Sequence, residues 1–106
     1  MTEKEKLEIA VETFSRQMKN RLEEKRLLGY TGWDCYDTAF FTNKIVNKLL
    51  HGKTVYPIDI ANLFMMVDIN ATDTQEITTA IQRNLNIAIR KLAVELIEET
   101  AREKSV

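Results

Sequence analysis

Asn43, Lys44, Asn47 and Lys48 recur at spacings of one, three and four residues, so on a helix they share one polar face. Two ammonium groups and two amides aimed the same way are a wall that could hold an anion directly; the same pattern also describes a solvated outer face. A second group lies in Asp59 and Asn62, the polar breaks in an otherwise apolar stretch. A buried carboxylate must be paired or hydrogen-bonded, and Lys44 or Lys48 is the partner the sequence suggests for Asp59; alternatively Asp59 stands exposed in the first turn of its helix, where negative charge suits the dipole. The third group is Gly29 to Tyr36, with two glycines and three aromatic rings in one connection. Tyr30 and Trp33 could form a face on which a base stacks, with Lys25 and Arg26 near enough in sequence to meet a phosphate; or Trp33 plugs the end of a helix bundle while the glycines turn the chain.

The familiar catalytic signatures are missing. The sequence has no Gly-rich phosphate loop ending in Lys and Ser or Thr, no serine nucleophile elbow and no histidine pair at metal spacing. His51, the only histidine, sits at a helix end before Gly52, where it reads as a dipole partner rather than a general base. Cys35, the only cysteine, excludes an intramolecular disulfide framework and reads as a small buried apolar residue in a reducing compartment.

Four helices must position these groups. Leu7, Val11, Phe14, Met18 and Leu22 place one apolar stripe on a helix over about 2–28, opened by the capping box Thr2 and Glu5 and closed by Gly29 behind Lys25 and Arg26. A second helix is predicted over about 37–51, with Asp34 or Asp37 as its cap and a broad apolar face from Phe40 to Leu50. Pro57 opens a third, over 57–71, apolar almost all round and therefore central. Asp73 with Glu76 starts a fourth, over 73–103, whose stripe runs from Ile77 through Leu85 and Leu92 to Leu96. At 1.5 Å per residue it is roughly 40 Å long, longer than a domain of this size is wide, so part of its stripe is expected to meet another copy of the chain; the alternative is an antiparallel hairpin of helices one and four.

Composition agrees with one all-α domain, a bundle of about four helices. The chain has 106 residues, only three Gly and one Pro, and 15 basic residues against 16 acidic ones. Near-neutrality supplies no overall field toward nucleic acid or an anionic membrane, so nucleic acid is disfavoured as a partner. The charged first eight residues lack the apolar centre of a signal peptide and the longest apolar run cannot span a bilayer, which points to the cytoplasm.

Gly32, Trp33 and Asp34, followed by Asp59, Ala61, Asn62 and the pair Met65 and Met66, resemble the small phage-encoded proteins related to the MazG-like all-α nucleoside triphosphate pyrophosphohydrolases. The resemblance covers roughly Arg16 to Val67, and helix four adds nothing to it. It implies a helical scaffold, a host-cytoplasmic setting and, in active members, magnesium held by a Glu, Glu, two spacers, Glu motif on the second helix and a Glu, two spacers, Asp motif on the third. This sequence departs from both motifs. No acid lies between Asp37 and Asp59, Asn43, Lys44 and Asn47 occupy the second helix, and Tyr56 stands three before Asp59. Hard divalent cations need carboxylate oxygens, so no metal or other cofactor is expected. The expectation is a non-catalytic, homo-oligomeric binding protein whose ligand is a nucleotide or other phosphate-bearing molecule, or a host protein. The alternative is an active pyrophosphohydrolase drawing ligands from Glu23, Glu24, Asp34, Asp37 and Asp59.

Overall fold

The computed structural model describes residues 1–104 and contains four α-helices, one 3-10 turn and, among those residues, no strand. The helices are α1 (Glu3–Leu27), α2 (Thr38–His51), α3 (Pro57–Asn70) and α4 (Thr74–Lys104), with the 3-10 turn at Trp33–Cys35. Their starts follow local chemistry. The Thr2 side chain accepts from the Glu5 amide at 3.2 Å, and Asp37 rather than Asp34 caps α2, its Oδ1 accepting from the Phe40 amide at 2.9 Å. Pro57 occupies the first turn of α3, where its missing N–H costs nothing. Asp73 Oδ1 accepts from the Glu76 amide at 2.8 Å to open α4. Gly52 ends α2 with its Cα so close to the Lys48 carbonyl that any side chain there would collide with backbone.

The third helix is central, as its all-round apolarity predicts: it packs on α1, α2, α4 and the 3-10 turn. Phe41 and Ile45 from α2 meet Leu63 and Val67 from α3, with Met66 and Ile77 against them. Polar clasps set the registers. Arg21 reaches Asp59 and Asn62 reaches the Met18 carbonyl, so α1 runs antiparallel to α3. Asn70 Nδ2 donates to the carbonyls of Trp33 and Tyr36, at 3.1 and 3.2 Å, which places the start of α2 beside the end of α3. Thr38 Oγ1 donates to Glu76 Oε1 at 2.9 Å, and Asn84 Nδ2 donates to Thr42 Oγ1 at 2.6 Å, locking α4 along α2.

Two expectations are corrected. Helices α1 and α4 do not form a hairpin; α1 touches only α3, and α4 touches α2 and α3. Cys35 is exposed rather than buried, because the 3-10 turn carries it on the outside of a surface crossing. The chain is also long and thin, 62 × 35 × 32 Å with a radius of gyration of 18.3 Å, where a compact chain of this length has about 13 Å. From residue 89 to residue 104 every position of α4 is exposed. No described helix is long and apolar enough to cross a membrane.

Candidate anion site

The first turn of α3 carries Asp59 into the seam with α1, where it is buried and its Oδ1 accepts from Arg21 Nε at 3.0 Å. The partner is thus Arg21, not Lys44 or Lys48 as the sequence suggested. The reason is the antiparallel pairing of α1 with α3, which sets Arg21 opposite Asp59. Arg21 uses its fork twice, since Nη1 donates to Glu24 Oε2 at 2.9 Å; the Glu24 and Asp59 hydrogen bonds together hold the guanidinium firmly protonated. An open cleft of about 620 Å³ borders this pair, lined by Gln17, Asn20 and Glu24 on α1 and by Tyr56, Pro57 and Ile58 at the start of α3.

One turn beyond Arg21, Lys25 is half-buried. Its pKa is lowered chiefly by desolvation; the upward pull of Asp59 is the next largest influence, ahead of the lowering charges of Arg21, Lys48 and Lys44. The charges of Lys44 and Lys48 on α2 thus bear on Lys25. Lys44 lies with its ammonium 4.8 Å from the centroid of the Phe40 ring, and Phe40 in turn stacks on Tyr36 at 4.2 Å and 15°. Tyr36, Phe40, Lys44 and Lys48 follow one another at four-residue spacing, an aromatic and basic line down one side of α2. Asn43 and Asn47, beside it, are exposed. Asn62 is buried one turn beyond Asp59 with its Oδ1 lacking any donor.

The remaining predicted residues lie elsewhere or are already engaged. Arg26 donates twice to Glu23, at 2.9 and 2.6 Å, which lowers the Glu23 pKa and raises that of Arg26. Tyr30 is exposed, its amide bonded to the Lys25 carbonyl. Trp33 is held by its carbonyl at Asn70, eleven residues along α3 from Asp59; at 1.5 Å per residue the two ends are roughly 16 Å apart, so its backbone is not part of this cleft. Sequence reasoning missed Arg21 and the Tyr36 and Phe40 stack. The four-residue spacing of Tyr36, Phe40 and Lys44 was the signal available for the latter.

Of the five acids that could have served a metal, Glu23 pairs with Arg26, Glu24 and Asp59 share Arg21, Asp37 caps α2, and Asp34 accepts from Cys35 Sγ in the 3-10 turn. No group of three or more Asp, Glu, His or Cys side chains converges among the described residues. The polar face of α2, two lysines and two amides, does not fit magnesium, and Asp59 on α3 is already bound to guanidinium. No family model matches this chain, and no curated protein or solved structure shows significant similarity to it.

Proposed function

We propose that this chain is a non-catalytic binding protein of the MazG-like, phage or prophage type, which takes a phosphate-bearing small molecule of the nucleotide class at the α1, α2 and α3 seam and works as a homo-oligomer in the cytoplasm. The observation that carries the reading is a local excess of positive charge. The charges of Arg21, Lys44 and Lys48 all bear on Lys25, and Arg21 already engages the carboxylates of Asp59 and Glu24. Three ammonium groups are left to a ligand, and one of them is partly desolvated before any ligand arrives. A phosphate group would offset that crowding and would need no metal bridge. Tyr36, 46% exposed and stacked on the Phe40 ring that Lys44 covers, gives a base a ring to stack on.

The test is calorimetric titration with pyrophosphate and with nucleoside mono-, di- and triphosphates, in the presence of a chelator. Binding without divalent metal is expected, and Lys44→Met with Lys48→Met should weaken it by about tenfold per charge removed. Heatless titrations across the panel would end the reading. Release of pyrophosphate from a triphosphate with magnesium present, lost in Asp59→Asn, would replace it with the hydrolase alternative.

A further inference from the structure

Helix α4 carries two apolar faces. Ile77, Ala80, Ile81 and Ala88 pack inward against the bundle. Leu85, Ile89, Leu92 and Leu96 form a second stripe, 37, 59, 41 and 64% exposed. At 3.6 residues per turn this stripe is rotated by about a quarter turn from the packed face, so it is not a continuation of the intrachain core. Helix α1 behaves differently, since Leu7, Val11 and Phe14 extend the face on which Met18 and Leu22 are half-buried, but lie toward and beyond the end of α3 and stay bare. Leu7, Val11, Phe14 and Met18 have the same four, three, four spacing as the α4 stripe, and that spacing is the seam of paired helices. Within one chain the two helices do not touch.

The area identifies the occupant. The chain exposes 8395 Å², whereas a folded monomer of 12.3 kDa exposes about 6100 Å². The excess of roughly 2300 Å² per chain is the size buried by obligate homodimers, and well above that of a transient encounter. We infer that a second copy of this chain covers both stripes, the bare part of α1 and the Leu85 to Leu96 face of α4, in a twofold dimer. The inference deepens the assembly part of the proposed function and rests on it, independently of the anion site.

Sedimentation of the wild-type chain at micromolar concentration should give twice the 12.3 kDa chain mass. Leu92→Glu with Leu96→Glu should weaken association at least a hundredfold, yielding the single-chain mass. Should that variant fail to fold, hydrogen exchange of the wild-type chain decides: amides of residues 7–18 and 85–96 should gain protection as protein concentration rises. A wild-type monomer at high concentration overturns the assembly reading altogether. A dimer that the double substitution leaves intact, or whose exchange at those residues ignores concentration, overturns this interface alone, and pyrophosphate titration of the same samples reports separately on the anion site.

Discussion

The two ends of α3 treat polar groups in opposite ways. At the C-terminal end they pair with one another: Asn70 closes two carbonyls, while Glu76 collects the Thr72 amide and hydroxyl at 2.7 and 2.6 Å and the Thr38 hydroxyl as well. At the N-terminal end, cations outnumber the acids, a lysine is desolvated, and the buried Asn62 Oδ1 has no donor. A region whose donors and acceptors are used up among themselves holds the fold. One with charge left over has capacity for something else, at a cost in stability that a scaffold alone gives no reason to bear.

Three experiments separate the ends. Asn70→Ala removes both carbonyl clasps and should destabilise by about 1–2 kcal/mol in chemical denaturation, with pyrophosphate affinity unchanged. A parallel loss of affinity would mean that the ends are coupled. Lys25→Met should do the reverse, raising the melting temperature while weakening pyrophosphate by about tenfold. Its pH signature has a fixed sign. The folded chain holds Lys25 at a lowered pKa, so it binds fewer protons than the unfolded chain, and stability climbs as pH rises through that value toward the ordinary lysine range. The substitution should abolish this climb, and an unaltered alkaline limb would refute the crowding. The smallest effect belongs to Glu76, whose pKa is lowered by the Thr72 hydroxyl, the Thr72 amide and the Thr38 hydroxyl, in that order. Its contribution is present above the ordinary carboxylate range and lost as pH falls through the lowered value, so Glu76→Gln should flatten the acid limb of the stability curve and leave the alkaline limb alone.

Much of the helical architecture was legible because its signals are local. Thr2 with Glu5 and Asp73 with Glu76 satisfy backbone groups within four residues of themselves, Pro57 removes an N–H the first turn would leave without a partner, and the apolar periods give each helix its face. What covers a face is a long-range question. Periodicity marked Leu7 to Leu22 as a stripe but could not say that α3, rather than α4, would lie on half of it. For the same reason Asp59 was recognised as a carboxylate needing a cation, while Arg21, 38 residues away, was invisible until α1 and α3 were seen to run antiparallel. Lys44 and Lys48 are closer in sequence to Asp59 than Arg21 is, yet the cation on Asp59 comes from α1, because proximity along the chain does not decide which helix lies alongside. Trp33 was grouped with Lys25 by the same logic and wrongly so, since the connection between α1 and α2 travels.

That travelling connection works as a spacer of set length. It leaves α1 near the start of α3, where the Tyr30 amide holds the Lys25 carbonyl, and delivers Tyr36 to Asn70 at the other extremity. Surface loops ordinarily tolerate gain and loss of residues alike. Here insertions would bulge harmlessly, whereas shortening would drag the first turn of α2 back along its neighbour and shift Lys44 and Lys48 relative to Lys25. The reach of residues 28–36 thereby sets where the ammonium groups of α2 stand relative to that of Lys25 on α1.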